Sequence, residues 1–256
     1  MFFRNESFKD FTRFYPVVTV IVGIQLIIWL ITFFDNPLGE LIFQWGVGFN
    51  PLITEGEYWR LITPIFLHST ADFMHVLFNS FSLVLFGPAL EQMLGKWKFA
   101  SIYLVAGIIG NLFSFLVDTN SMIPYLGASG AVYGLLGLYI YMVFLRPELI
   151  DPASKQVILI FTVLGLIMTF IRPGIAISAH VFGFIGGVAL GPIALTRARP
   201  FSPWRQQRRQ IRPGQPNFNP NRWKRRRFRI NKNISSIIWW IILILALLGL
   251  FGGLIL

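Results

Sequence analysis

The amino-acid sequence predicts an all-α polytopic membrane protein, and three observations lead to this fold class. Of its 256 residues, 55% are hydrophobic and only 13% are charged, which is typical of integral membrane chains. The hydrophobic residues fall into runs of roughly 15–23 residues, and runs of this length cross a bilayer as helices. Proline, glycine and charged residues separate the runs. We therefore expect a multi-pass protein of the cell membrane.

Six of the apolar runs predict a helical core over residues 17–195. They are Val17–Phe34, Phe73–Leu90, Phe99–Val117, Leu126–Leu145, Val157–Ile171 and Ile175–Leu195. A polar segment, residues 1–16, precedes them and is expected in the cytoplasm. The first run is too long for the apolar part of a signal peptide and no small-residue cleavage site follows it, so we expect it to remain as a span.

The segment between the first two spans, Asp35–Asp72, is predicted as a long loop that roofs the outer end of the bundle. Pro37, Pro51 and Pro64 divide it, and proline interrupts helix interiors. It also contains Trp59–Arg60, residue types that anchor chains at the membrane surface.

The net charge of +11 is concentrated in one segment. Thirteen of the 22 lysines and arginines lie between Arg197 and Lys232, with no acidic residue among them. This range belongs to a proline-rich linker, residues 196–233, which leads to a seventh span, Ile234–Leu256. Basic residues beside a membrane favour anionic lipid headgroups. The linker connects two spans, and cytoplasmic segments between spans are enriched in basic residues. This explains its positive charge more simply than nucleic-acid binding does.

The same basic residues predict the orientation of the chain in the membrane. With a cytoplasmic N-terminus, twenty lysines and arginines lie on the cytoplasmic side, and only Arg60 and Arg172 lie outside. Cytoplasmic loops are enriched in these residues. We therefore expect the N-terminus in the cytoplasm and, after seven spans, the C-terminus outside.

Four polar side chains are predicted to meet near the outer ends of three spans. Ser129 lies about four residues into span four and His180 about five into span six, which places both roughly 5–8 Å below the outer ends. His75 and Asn79 lie one helical turn apart on span two at similar depth. A serine beside a histidine is the arrangement of nucleophilic catalysis. Ser129 and His180 are therefore the predicted catalytic pair.

Small residues predict a close approach of spans four and six. The stripes are Gly127, Gly130, Gly134 and Gly137 on span four, and His180, Gly183, Gly187 and Gly191 on span six. Such stripes let membrane helices pack with their backbones in contact, and a serine–histidine hydrogen bond of about 2.6–3.2 Å needs this proximity. Glycine stripes alone also pack helices that have no catalytic role.

Short motifs follow one another through the core in a specific order. They are Glu57–Tyr58–Trp59–Arg60, Phe66–Leu67–His68 with His75–Val76–Leu77–Phe78–Asn79, Glu91 with Gly95, Gly127–Ala128–Ser129–Gly130 with Tyr133, and Ala179–His180 with Gly183 and Gly187. In this order the chain resembles the rhomboids, a family of intramembrane serine proteases. The resemblance extends over nearly all of residues 17–195.

The resemblance implies a role for each residue of the predicted site. Ser129 would be the nucleophile and His180 the general base. The oxyanion hole would consist of His75, Asn79 and the Ser129 amide, with support from Tyr133, Gly127, Gly130 and Gly183. The substrates would be transmembrane proteins cleaved near the outer leaflet. One departure is Ile177, where many rhomboids carry an asparagine three residues before the histidine.

The outer halves of the spans contain no acidic residue, so we expect a catalytic dyad rather than a triad. His68 is expected to cap backbone groups in the loop, and Asp72 is not assigned to the chemistry. Span five, with about 15 apolar residues, is short for a bilayer. It is therefore predicted to be the movable wall through which substrates enter. The alternative is that Ser154, Lys155 and Gln156 extend this span, with their polar ends at the membrane surface.

Other functions explain these residues less well. A channel or transporter would also bury polar side chains, but near the bilayer midplane along a path. Three histidines could bind zinc, yet the chain has no HExxH motif, so we expect neither metal nor cofactor. The absence of cysteine excludes thiol catalysis. The alternative that remains is a catalytically inactive rhomboid-like protein that binds or escorts single-span clients.

Overall fold

The computed structural model describes residues 1–2, 6–34, 36–171 and 174–202 of the chain. Within these residues the regular structure is helical, apart from one β-bridge between Gly48 and Tyr125. The α-helices are α1 (Phe8–Phe14), α2 (Pro16–Phe33), α3 (Pro37–Gly46), α4 (Asn50–Thr54), α5 (Phe73–Leu94), α6 (Lys96–Val117), α7 (Ser129–Leu145), α8 (Pro152–Ile171) and α9 (Ile177–Ala194). Most of the basic linker, the seventh span Ile234–Leu256 and the predicted outer C-terminus lie outside the described residues.

Six of these helices form a membrane-spanning bundle. α2, α5, α6, α8 and α9 are long and apolar enough to cross a membrane, and α7 is a shorter apolar helix. Fully buried apolar side chains such as Leu83, Leu135 and Tyr139 fill the space between them. The helical membrane fold predicted from the apolar runs is therefore confirmed over the described residues.

Buried contacts hold together the end of the bundle at which α2 begins and α5 ends. The Glu91 carboxylate, at the end of α5, accepts hydrogen bonds from the amides of Val17 at 3.1 Å and Val18 at 2.9 Å. These are free amides of the first turn of α2, where a negative charge is favourable. Phe2 is buried with its ring edge-to-face against Phe86. The described part of residues 1–16 thus contributes to the core.

The segment predicted as a loop, residues 36–72, is largely helical. Pro37 and Pro51 lie in the first turns of α3 and α4, where a missing N–H group costs no helical hydrogen bond. Arg60 is buried rather than at the surface, pairs with Glu57 at 2.5 Å and donates to the Val47 carbonyl at 2.7 Å. Its interpretation as a surface anchor is wrong, because its charge is satisfied inside the fold.

α7 begins at Ser129, not at Leu126. Gly127 has a φ angle of +129°, a conformation that only glycine adopts readily and that no helix contains. Its amide donates to the Pro64 carbonyl at 2.9 Å, and Ala128 is fully buried. The chain therefore descends into the bundle before the helix starts. Ser129 is the first residue of α7 rather than about four residues inside it.

α8 is longer than the apolar run that predicted it. It spans 20 residues, which is about 30 Å at helical rise and matches the hydrocarbon core. Ser154, Lys155 and Gln156 extend the helix at its N-terminal end. The prediction of a short fifth span is therefore wrong, because polar residues continue the helix beyond the apolar stretch.

α7 and α9 cross with their backbones in contact. A Cβ atom added to Gly183 would lie 2.9 Å from the carbonyl carbon of Gly130, well inside an ordinary carbon–carbon contact. A Cβ atom on Gly187 would overlap the carbonyl group of Gly134 in the same way. Small residues thus set the distance between the two helices that carry the candidate site.

Candidate active site

Ser129 and His180 form a hydrogen bond where α7 and α9 begin. Ser129 is the first residue of α7, and His180 lies in the first turn of α9. The Oγ atom of Ser129 is 2.6 Å from Nε2 of His180, within the range that a nucleophile and its base need. His180 is buried and Ser129 half-buried. The imidazole is thus shielded, while Ser129 remains partly exposed.

The His180 ring is held on two further sides. Tyr133, one turn along α7 from Ser129, stacks on the ring with centroids 4.3 Å apart and planes inclined by 19°. Thr169 of α8 places its Oγ1 atom 3.0 Å from Nδ1 of His180. The Tyr133 hydroxyl lies 2.7 Å from Thr169 Oγ1 and donates to the Gly165 carbonyl at 2.5 Å. Three helices therefore fix the position of one imidazole.

Gly127 has no side chain, and the His75 imidazole packs against it beside Ser129. The point where a Cβ atom on Gly127 would stand is 2.6 Å from Nε2 of His75 and 3.6 Å from Oγ of Ser129. Asn79 is buried, and its amide nitrogen donates to the His75 carbonyl at 2.8 Å. An amide nitrogen carries two protons, so this bond occupies one of them. The structure thus brings His75 next to Ser129 and Asn79 one turn behind it.

The start of α7 supplies backbone donors to the same region. The first amides of an α-helix have no partner within the helix, and the helix dipole is positive at that end. Ser129 is the first residue of α7, so its own amide and that of Gly130 belong to this group. The environment of the Ser129 hydroxyl therefore favours a negative charge.

His68 and Asp72 lie near the site without contacting Ser129 in the described hydrogen bonds. Asp72 is the N-cap of α5 and accepts from the Met74 amide at 3.0 Å. The His68 ring is buried 5.2 Å from the His75 ring. Burial, and secondly the neighbouring His75, lowers the pKa of His68 to about 3. His68 is thus a neutral packing partner of His75.

The described residues contain no cluster of three or more potential metal ligands. The three histidines divide into a His68–His75 ring pair and a separate His180, which is hydrogen-bonded to Ser129 and Thr169. The groups around Ser129 are proton donors and acceptors suited to acid–base chemistry.

The family model for the rhomboid domain matches residues 55–197. This range is more than half of the chain and includes His75, Asn79, Ser129 and His180. The chain belongs to the rhomboid family. The resemblance inferred from the motifs is thereby confirmed.

Several named proteins are similar to this rhomboid. "Putative rhomboid protease YdcA" of Bacillus subtilis is 44% identical over 193 residues, which are 74% of this chain and 94% of that protein. "Rhomboid protease GluP" of the same organism is 36% identical over 163 residues, 63% of this chain and 31% of that protein. "RHOMBOID-like protein 5" of Arabidopsis thaliana is 35% identical over 148 residues, 57% of this chain and 47% of that protein. The chain thus spans nearly all of YdcA but less than half of the other two.

One residue around the histidine of this rhomboid was missed by the sequence analysis. Thr169 contacts His180 Nδ1, yet in the sequence it is a threonine within an apolar run. The sequence contains only a weak indication of its role. Thr162 and Thr169 are spaced so that both lie on one face of the helix. Neither the spacing nor the residue type indicates which neighbouring helix that face contacts.

Proposed function

We propose that this rhomboid is an intramembrane serine endopeptidase that uses Ser129 as nucleophile and His180 as general base. The hydrogen bond of 2.6 Å between Ser129 Oγ and His180 Nε2 carries the proposal. The family assignment supports it, as do the names of two relatives, which describe rhomboid proteases. The alternative of an inactive client-binding protein gives no reason for a buried histidine aimed at an accessible serine.

In the proposed reaction, Ser129 Oγ attacks the carbonyl carbon of a peptide bond while its proton passes to Nε2 of His180. The peptide C–N bond then breaks, His180 returns the proton to the leaving amine, and an ester remains on Ser129. A water molecule that loses a proton to His180 hydrolyses this ester and restores the hydroxyl. Tyr133 keeps the ring plane of His180 constant during both proton transfers.

The negative charge on the carbonyl oxygen is assigned to donors around Gly127. His75 Nε2 lies against Gly127, next to Ser129, and the Ser129 amide lies at the positive end of α7. Asn79 supplies its second amide proton. The absence of a side chain at Gly127 lets His75 approach Ser129, while Gly130 and Gly183 allow α7 and α9 to approach. Fixed donors of this kind stabilise the transition state more than the ground state.

The proposed substrates are transmembrane segments cleaved near the outer leaflet. α7 spans 17 residues against 22 in α5 and α6, so the nucleophile at its start is expected below the level of the neighbouring helix ends. Peptide bonds in a stable helix are shielded, so the cleaved region should contain weak helix formers such as glycine or proline.

The route of entry is proposed beside α8. Its outward face is apolar and exposed, with Ile160, Val163 and Leu164 among its residues. It meets α5 through the ring pair Phe86 and Phe161, whose centroids are 5.4 Å apart. A helix with few buried side chains can be displaced more easily than α7 or α9.

We also propose a membrane orientation for the chain and roles for its C-terminal region. Basic residues on one side favour a cytoplasmic N-terminus and an outer C-terminus. The linker, residues 196–233, is proposed to lie at anionic headgroups, with residues 234–256 as an additional span that serves as an anchor. No role in binding nucleic acid is assigned to it.

The proposed dyad is tested with the variants Ser129→Ala and His180→Ala. Each should abolish cleavage of a single-span substrate in liposomes, and Ser129→Ala should abolish labelling by a fluorophosphonate. Ser80→Ala is a matched control, because its buried hydroxyl on α5 has no hydrogen-bond partner among the described residues. This control should retain full activity. Cleavage near the wild-type rate in either dyad variant, or a wild-type protein that is never labelled, would refute the proposal.

A further inference from the structure

We propose that Thr169 is a positioning residue that holds His180 in the tautomer needed to accept the proton of Ser129. Because Thr169 lies on α8, it also makes the orientation of the base depend on the position of that helix. This inference rests on the proposed function, since it concerns the same Ser129–His180 pair.

The contacts of Thr169 are all buried. The residue is 1% exposed. Its Oγ1 atom lies 3.0 Å from Nδ1 of His180, 2.7 Å from the Tyr133 hydroxyl and 3.0 Å from the Gly165 carbonyl. A threonine that only satisfied its hydroxyl on its own helix would need just the last of these contacts. The two additional contacts, to His180 and Tyr133, connect α9 and α7 to α8 at one oxygen atom.

The protons in this cluster favour one tautomer of His180. The hydroxyl protons of Thr169 and Tyr133 both have an acceptor in the Gly165 carbonyl, at 3.0 and 2.5 Å. Thr169 Oγ1 can therefore keep a lone pair for a proton on Nδ1. With the proton on Nδ1, Nε2 has a free lone pair that faces Ser129 Oγ. In the opposite tautomer Nε2 would carry a proton and could not act as the base.

Thr169 and Tyr133 constrain different motions of the ring. Stacking on Tyr133 fixes the plane of the imidazole, but a half-turn about the Cβ–Cγ bond keeps this plane and exchanges Nε2 with Cε1. The hydrogen bond to Nδ1 prevents this rotation, and it directs Nε2 toward Ser129. Both contacts are needed to keep a base aligned with its nucleophile.

Thr169 belongs to α8, whose inward positions are mostly small residues. The inward positions of α8 are Ser154, Ile158, Thr162, Gly165 and Thr169, which recur every three or four residues. Movement of the outer end of α8 by about 1 Å would stretch the Thr169–His180 contact beyond hydrogen-bonding distance. The base is therefore oriented when α8 is in place and loses its Nδ1 partner when α8 moves away. Catalysis would follow the return of α8 after substrate entry.

The test compares three variants of α8. Thr169→Val keeps the shape of the side chain and removes the hydroxyl, whereas Thr169→Ser keeps the hydroxyl. Thr162→Val is the matched control, because Thr162 is also buried on this face but its hydroxyl has no partner among the described residues. Cleavage rates and the rate of fluorophosphonate labelling are measured, together with the thermal unfolding of each protein in detergent.

We expect Thr169→Val to lower kcat and the labelling rate by about tenfold or more, with a smaller change in KM, because one buried hydrogen bond to the base is lost. Thr169→Ser should stay within about threefold of the wild type, and Thr162→Val within about twofold. A near-normal rate for Thr169→Val would overturn the inference. Equal losses in Thr169→Val and Thr169→Ser, or in Thr169→Val and Thr162→Val, would overturn it as well.

A spectroscopic measurement gives a second criterion that packing alone does not affect. In protein with ¹⁵N-labelled histidine, the ring signals that disappear in His180→Ala belong to His180. The wild type and Thr169→Ser should show the proton on Nδ1, and Thr169→Val should show a mixture of tautomers. A proton on Nε2 in the resting wild-type protein would overturn the inference even if Thr169→Val does not fold. Activity that survives in Ser129→Ala would instead refute the proposed function itself.

Discussion

The close crossing of α7 and α9 predicts a large effect for the single methyl group added by Gly183→Ala. A Cβ atom at this position would stand 2.9 Å from the carbonyl carbon and 3.1 Å from the Cα atom of Gly130, and still nearer to the carbonyl oxygen. Carbon atoms in contact normally lie about 3.5–4.0 Å apart. The two helices would therefore have to separate by roughly 1 Å.

This separation acts directly on the candidate site. Gly130 follows Ser129, and Gly183 lies one turn after His180. A displacement of about 1 Å would extend their hydrogen bond from 2.6 Å to beyond the range of about 2.6–3.2 Å in which a base accepts a proton. We expect fluorophosphonate labelling to fall at least about tenfold. Overpacking should also cost about 1–3 kcal/mol of folding free energy, which lowers Tm by roughly 2–12 °C.

Labelling and unfolding are measured on the same detergent-solubilised samples, with Gly23→Ala as the control. A Cβ atom on Gly23 of α2 meets no atom within 4 Å, so this variant should keep the wild-type activity and an equal or slightly higher Tm. Wild-type activity and Tm in Gly183→Ala would refute the close crossing of the two helices.

Two further predictions concern the surroundings of Ser129. Gly127→Ala should reduce cleavage about tenfold or more, because its methyl group would overlap the His75 imidazole and displace it from Ser129. Gly56→Ala, also at positive φ but in open space, should lose stability without losing activity. Equal activity losses in the two variants would contradict this. The folded protein keeps His68 neutral with a pKa of about 3, against 6.5 in an unfolded chain. As the pH falls, the unfolded state therefore binds a proton before the folded state does. The free energy of unfolding should decrease as the pH drops from about 6.5 toward 3, by roughly 2–3 kcal/mol at pH 4.5. His68→Phe should weaken this acid sensitivity of the unfolding temperature, and an unchanged pH dependence would show that His68 is not its source.

The membrane fold could be predicted from the sequence because its signal is local. Apolar runs of sufficient length must form helices in lipid, whatever their partners are. Their ends were less predictable: α8 continues through Ser154 and Lys155, which are polar but compatible with a helix near the membrane surface. α7 starts late because Gly127 adopts a positive φ that depends on contacts with the distant Pro64.

The candidate site was only partly predictable, because some of its residues are recognisable locally and others depend on tertiary contacts. Ser129 and His180 are recognisable because a serine and a histidine beside glycine stripes are unusual in apolar runs. Thr169 is not, since threonines are common in membrane helices and hydrogen-bond to their own backbone. The burial of Arg60 and the helices of residues 37–54 likewise depend on tertiary contacts that local composition does not encode.

The distance along the chain between Ser129 and His180 has a consequence for synthesis. The two residues are 51 positions apart, and at roughly 5–20 residues per second the histidine is made about 3–10 s after the serine. During this interval α7 can enter the membrane with a serine that has no base. Under the proposed dyad, the nascent chain is inert toward neighbouring proteins until α9 has been inserted and docked, and the docking of α9 against α7 is also the step that activates the hydroxyl.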